Sequence, residues 1–145
     1  MRISVLGSGY VGTTIAACFA DLGHEVTAID IDEDIVATLQ DGRSPIHEPG
    51  LEDLIAEHAG DRLTATTDYG VVPETDVTFM ALSTPSRDDG SIDTAIIESA
   101  ATSLGEAIAD KAGTHTVVVK STVVPGTTEE RIAPRIADAA GGAVG

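Results

Sequence analysis

Gly7, Gly9 and Gly12 are spaced G-x-G-x-x-G directly after the short apolar run Ile3-Ser4-Val5-Leu6. The chemistry that suits this spacing is the binding of a pyrophosphate. Gly7 allows a tight turn out of a strand, and Gly9 lacks the Cβ that would hold phosphates off the backbone. Gly12 lets the next helix pack close to a sheet. The free N–H groups and positive dipole end of that helix then face the anion. A second candidate is Asp30, 18 residues beyond Gly12, at the end of an apolar run over residues 25–30. A carboxylate there accepts both hydroxyls of an adenosine ribose and repels a 2′-phosphate, which selects NAD over NADP. The plain alternative is a βαβ unit without a ligand. The strand and helix signals flanking the glycines weigh against it.

Those groups need elements to hold them. Ile15, Cys18, Phe19 and Leu22 recur at helical spacing after Gly12, and Gly23 stands where a C-terminal cap belongs. Asp32 reads as the N-cap of a short helix over 33–40, closed by Gly42. Two prolines and a glycine make residues 43–50 a loop, and Leu51, Leu54, Ile55 and His58 mark another short helix. Residues 63–66 read as a strand, and Thr67 or Asp68 as the cap of one turn before Pro73. The run over 76–82 is nearly all apolar, as in a central parallel strand covered on both faces. A long helix is expected over 93–110, with Ile96, Ile97, Ala100, Leu104 and Ile108 inward. A strand over 116–120 and a last helix over 127–138 complete the chain, with Pro134 threatening the latter.

Strand and helix alternate, which predicts an α/β fold: a Rossmann-type, doubly wound parallel sheet with helices on both faces. Residues 1–138 form the domain, and 139–145 read as a linker. Ligands of such sheets sit at the carboxyl ends of the strands. Four informative loops leave such ends: the glycine loop, Asp30, Ser83-Thr84-Pro85, and Ser121-Thr122 through Gly126.

Composition narrows the function classes. The net charge is -16, from 24 acidic and 8 basic residues, which argues against nucleic acid or an anionic membrane as partner. The acids are spread along the whole chain. Adaptation to a high-salt cytoplasm explains that spread better than an acidic docking surface does. At 42% hydrophobic residues the chain folds rather than staying disordered. Its single cysteine, Cys18, excludes an internal disulfide and reads as a buried small hydrophobe. No leader, lipidation motif or transmembrane stretch is legible, so a cytoplasmic location is expected. His24, His47, His58 and His115 lack ligand spacing, so no metal site is expected. Lys120 reads as an ion-pair partner that orders its loop, and Tyr10 as packing beside the cleft. Asp88, Asp89 and Asp93 read as loop and cap residues. Glu48 either reaches the site or caps the helix at Leu51.

Six stretches together resemble the UDP-glucose/GDP-mannose dehydrogenase family. They are Gly7-Ser8-Gly9-Tyr10-Val11-Gly12, Leu22-Gly23-His24-Glu25-Val26, Asp30-Ile31-Asp32, Pro45-Ile46-His47-Glu48-Pro49-Gly50-Leu51, Thr84-Pro85 with Asp89-Gly90-Ser91-Ile92-Asp93, and Lys120-Ser121-Thr122-Val123-Val124-Pro125-Gly126-Thr127. The resemblance covers nearly the whole chain, and the fourth and sixth stretches are its most specific parts. It implies oxidation of the C6 alcohol of a UDP-sugar with two NAD. Gly9, Tyr10 and Val11 would hold the pyrophosphate and Asp30 the ribose, with Ser83, Thr84, Pro85 and Ser121 at the cofactor. Thr122 would position a water or the substrate hydroxyl near the nicotinamide. Where many relatives carry a cofactor-contacting lysine, this chain has Ile35. The family's catalytic cysteine, sugar domain and dimer-forming helix would lie beyond Gly145, so the segment alone is expected to be monomeric and inactive and its parent a homodimer. A regulatory NAD(H)-sensing module and a 3-hydroxy-acid dehydrogenase are the competing readings, and the two specific stretches argue against both.

Overall fold

The apolar runs become five strands in a computed structural model that describes residues 1–142. They are β1 (Arg2–Leu6), β2 (Glu25–Ile29), β3 (Leu63–Thr66), β4 (Val77–Met80) and β5 (Thr116–Val119), all parallel in the order β3-β2-β1-β4-β5. Ile3 on β1 stands opposite Val26 on one side and Val77 on the other. The order reverses at β1, because the chain moves outward first to β2 and β3 and then to β4 and β5. Right-handed crossovers in opposite directions put their helices on opposite faces. Accordingly α1 (Tyr10–Asp21), α2 (Glu33–Gln40) and α3 (Leu51–His58) enclose one core with Ile3, Val5, Val26 and Ala28. On the other face α4 (Ala95–Ile108), α5 (Ala133–Ala140) and a 3-10 turn at Tyr69–Glu74 enclose Leu6, Ile29 and Met80. This is the doubly wound fold expected from the alternation of elements.

Local chemistry explains the helix ends. Asp32 caps α2, its Oδ1 accepting from the amides of Asp34 at 2.9 Å and Ile35 at 3.4 Å. Asp68 caps the 3-10 turn by accepting from the Gly70 amide at 2.7 Å. Asp93 receives the Ala95 amide at the start of α4. Gly50, at φ +80°, begins α3 without any side-chain cap, so Glu48 does not serve as one.

Four expectations change. Cys18 is exposed, because α1 turns its small residues inward: Gly12, Thr13, Ala16, Ala17 and Ala20 are buried. Close helix–sheet approach favours small side chains on the contact line, so the larger Ile15 and Phe19 pack at its margin. Ile96 is likewise exposed, on the side of α4 away from the core. Lys120 is exposed and makes no ion pair among the described residues; its amide instead donates to the Met80 carbonyl at 2.9 Å. The last helix divides. Pro134 cannot donate to the carbonyl four residues back, and the chain widens into a π turn at Thr128–Ile132 before α5. Helix α5 continues through Ala140 into a left-handed Gly141, so the expected linker starts inside it; residues 143–145 lie outside the described residues.

A buried polar chain pins β1 to β4 at the end of the sheet remote from the glycine loop. Lys111 Nζ meets His115 Nδ1 at 2.9 Å and also donates to the Thr75 carbonyl. His115 Nε2 meets Thr78 Oγ1 at 2.7 Å, Thr78 meets Ser4 Oγ at 2.6 Å, and Ser4 meets Thr75 Oγ1 at 3.0 Å. An ammonium only donates, so Nδ1 accepts and Nε2 carries the proton. Thr75 in turn donates to the Val72 carbonyl at 2.8 Å, which gives every hydroxyl one direction. Desolvation, and then the Lys111 charge, hold His115 below its ordinary 6.5. The folded state therefore prefers neutral His115, and this stability is complete above the unfolded value and drains as pH falls below it. Urea midpoints between pH 7 and pH 5 should decline, and His115→Gln should flatten that decline. An equal decline in the variant would contradict this role.

Candidate functional site

The glycine loop is built from both sides. Gly7 has φ +92°, and a Cβ there would lie 2.7 Å from the Ala81 carbonyl oxygen at the end of β4. A Cβ on Gly12 would lie 1.8 Å from the Gly7 carbonyl oxygen. Those two glycines are demanded by the protein itself. Gly9 differs: its φ of -80° suits any residue, and a Cβ there would meet nothing within 4 Å. Neither backbone nor packing requires glycine at that position. The space left there is open to a ligand lying against the loop.

The start of α1 is prepared for an anion. Its first N–H groups have no intrahelical partner, no side chain caps it, and its first turn holds no acid. By contrast α2 carries Glu33 and Asp34 in its first turn, and α3 carries Glu52 and Asp53. The first turn of α1 thus carries no acid of its own, and the one carboxylate at the glycine loop, Asp30, is engaged by backbone amides.

Asp30 is held in place by backbone. Its Oδ2 accepts from the Ser8 amide at 2.8 Å and its Oδ1 from the Asp32 amide at 3.0 Å. Each carboxylate oxygen keeps lone pairs for a further donor. Gly7 adds a bond from its amide to the Ile29 carbonyl at 2.8 Å, tying the loop to the end of β2. Ser8 is only 2% exposed and its Oγ has no partner among the described residues, an orphaned hydroxyl in the glycine loop.

A cleft of about 490 Å³ opens at the carboxyl ends of β1, β2 and β4, where the sheet order reverses. Gly7, Gly9, Asp30 and Ser83 of the expected set line it. Its remaining wall was not legible in the sequence: Ile31 (84% exposed), Tyr69, and Ile96, Ser99 and Ser103 on α4. Ile31 and Ile96 are both exposed apolar residues at the cleft mouth, a feature that only the folded chain reveals. Burial, and then the charge of Asp30, raise the Tyr69 phenol above its ordinary range, so it stays neutral and can donate. Tyr10 (62% exposed) and Val11 flank the loop outside this cleft, with Gly12 buried beneath them.

Thr84, Pro85, Ser121 and Thr122 form a second group outside the cleft lining. Two hydroxyls stitch the loops after β4 and β5 together. Ser121 Oγ donates to the Leu82 carbonyl at 2.7 Å, and Thr84 Oγ1 donates to the Thr122 carbonyl at 2.7 Å. Ser121 and Thr84 thus spend their hydroxyls on backbone, while the Thr122 side chain makes no hydrogen bond among the described residues. His47 and Glu48 lie on the exposed loop before α3, and neither lines the cleft.

The open space at Gly9, the uncapped helix and the oriented Asp30 carboxylate fit a dinucleotide's pyrophosphate and adenosine ribose. Gly9→Ala tests the fit. It should leave the melting temperature nearly unchanged and weaken NADH about tenfold or more, by keeping phosphate from amides whose charge-assisted bonds contribute about 1.5–3 kcal/mol each. Unchanged NADH affinity would place the ligand elsewhere.

Comparison with known proteins gives the family. The sequence model of the UDP-glucose/GDP-mannose dehydrogenase family, NAD binding domain, matches residues 1–144. The chain is 63% identical to the UDP-glucose 6-dehydrogenase AglM of Haloferax volcanii over 145 residues, which is all of this chain and 34% of that protein. It is 43% identical to the GDP-mannose 6-dehydrogenase of Pseudomonas aeruginosa, covering 97% of this chain and 33% of the relative. The crystal structure of the Pseudomonas aeruginosa GDP-mannose dehydrogenase ternary complex superposes with a TM-score of 0.94 at 42% identity, over 99% of this chain and 33% of that one. A UDP-glucose dehydrogenase from Pyrobaculum islandicum gives a TM-score of 0.91 at 46% identity, over 98% and 33%. The chain thus spans about a third of the length of the curated relatives it matches. It belongs to the UDP-glucose/GDP-mannose dehydrogenase family, and it is that family's NAD-binding domain.

Proposed function

We propose that this chain is the cofactor-binding part of a UDP-glucose 6-dehydrogenase. Taking an alcohol to a carboxylate removes two hydrides, so the whole enzyme uses two NAD per sugar. The observation that carries the reading is identity of 63% along the entire chain to a UDP-glucose 6-dehydrogenase, with the Gly9 and Asp30 geometry intact. NAD, when bound, supplies the hydride acceptor. The amides at Gly9, Tyr10 and Val11 hold its pyrophosphate, and Asp30 takes the adenosine ribose hydroxyls. Thr84 and Pro85 flank it, with Ser121 bracing their loop through Leu82. Thr122 positions a water or the sugar hydroxyl, since a threonine hydroxyl both donates and accepts. The sugar is read, and the covalent chemistry done, by residues this chain does not contain, in a parent that assembles as a homodimer.

The test is turnover by the full-length parent with UDP-glucose, UDP-N-acetylmannosamine and GDP-mannose in parallel. Two NADH per UDP-glucose, with slow turnover of the others, is the expected result. Preference for GDP-mannose would move the assignment within the family. The 145-residue chain alone should bind NADH and turn nothing over.

We also infer a high-salt cytoplasm as the working environment, supported by the net charge of -16 spread over the whole sequence. Among the described residues no helix is long and apolar enough to cross a membrane. Unfolding in dilute buffer and refolding in molar KCl is the expected behaviour, and stability indifferent to salt would remove the inference.

A further inference from the structure

At the opposite end of α1 from the glycine loop, the fold brings one residue together with a neighbouring pair that is distant from it in the sequence. Asp21 closes α1, and Glu57 and His58 close α3. One coordinating atom from each lies within 4.8 Å of the others. We propose that Asp21, Glu57 and His58 form a structural site for a borderline divalent cation of the zinc type, clasping the ends of α1 and α3. The histidines show no ligand spacing along the chain, and only the α1–α3 contact reveals the site.

Geometry comes first. His58 Nε2 and Asp21 Oδ1 are 3.2 Å apart. Two ligands on one ion at 2.0–2.1 Å are separated by about 2.9 Å in octahedral and about 3.4 Å in tetrahedral arrangement, so this pair already has the spacing of neighbouring ligands. His58 is only 9% exposed, so its nitrogen is a fixed anchor. The two carboxylates are exposed and can rotate onto a shared ion.

Charge comes second. Both carboxylates sit in the last turn of a helix, where the macrodipole is negative and disfavours them. Neither Glu57 nor Asp21 has a Lys or Arg partner among the described residues, and Asp21 has only the His58 imidazole beside it. A divalent ion satisfies both acids and accepts the imidazole, a donor set suited to zinc and unsuited to magnesium. Helix α1 has 12 residues, so the site lies about 18 Å from the phosphate loop at 1.5 Å per residue. The cation would stabilise the fold without touching the cofactor.

The experiment is zinc titration of the metal-stripped chain by calorimetry and thermal melting, with NADH affinity measured alongside. Saturating zinc should raise the melting temperature by roughly 5–10 °C, as expected for a ligand at about a hundred times its dissociation constant, and magnesium should not. Asp21→Asn and Glu57→Gln, both at exposed positions, should each weaken zinc about tenfold or more while NADH affinity stays unchanged. Absence of zinc binding would leave Asp21 and His58 as a hydrogen-bonded pair only and overturn the proposal. Zinc binding indifferent to both substitutions would overturn it too, placing the metal elsewhere, for instance on the terminal amine and His24 Nδ1, 3.4 Å apart. The NADH measurement keeps this outcome separate from the fate of the cofactor assignment.

Discussion

Gly12→Ala should destabilise the domain by about 3 kcal/mol or more, the upper range for overpacking a tight contact, and lower its melting temperature by roughly 10 °C. The added methyl would stand 1.8 Å from the Gly7 carbonyl oxygen and 3.5 Å from the Ala81 Cβ. Neither side can yield cheaply. Gly7 is itself confined, at φ +92°, by the Ala81 carbonyl and by the bond from its amide to Ile29. Helix α1 is pressed onto the sheet by Ala16, Ala17 and Ala20, all at 1% exposure or less. Thermal melting checks the outcome. Near-wild-type stability would mean that the helix can slide away from the sheet, and the account of its close packing would fail.

Asp30→Ala carries the largest expected effect on the ligand. Two ribose hydroxyls would lose charged acceptors, at about 1.5–3 kcal/mol each, so NADH affinity should fall by roughly a hundredfold or more. NADPH should suffer far less, because the same substitution removes the carboxylate that repels its 2′-phosphate. The variant also leaves the amides of Ser8 and Asp32 without the acceptor they use now, so a modest loss of stability accompanies it. Asp30→Asn separates the two effects, since its amide oxygen can still accept from a backbone N–H while carrying no charge. Equal weakening of NADH and NADPH in Asp30→Ala would contradict the ribose assignment.

Local signals were legible where local chemistry decides the structure. The sequence-based bounds of α2, α3 and β3 coincide with those observed, because Asp32, Gly42, Gly50 and the apolar spacing act within a few residues. The shape of the glycine loop was legible for the same reason: Gly12 answers to a contact with Gly7 only five residues away. Tertiary geometry hid the rest. Cys18 and Ile96 looked like core residues by spacing, but the line of closest approach on each helix selected smaller or differently placed neighbours. Tyr69 and the α4 wall enter the cleft through topology, since α4 crosses the sheet on the face opposite α1. The stitch between Thr84 and Thr122 spans 38 residues, and nothing in either loop announces the other. The family resemblance implied a role for this second loop pair, and no signal in the sequence shows that two of its hydroxyls are spent on backbone.

The central claim, that the Gly9 and Asp30 cleft holds NAD and selects it by charge, is tested most directly by calorimetric titration of the 145-residue chain with NADH and NADPH in molar KCl. Binding of NADH with NADPH weaker by about tenfold or more, the scale of one lost charged hydrogen bond, is the predicted result. Equal affinities, or no binding of either to a chain shown to be folded, would contradict it.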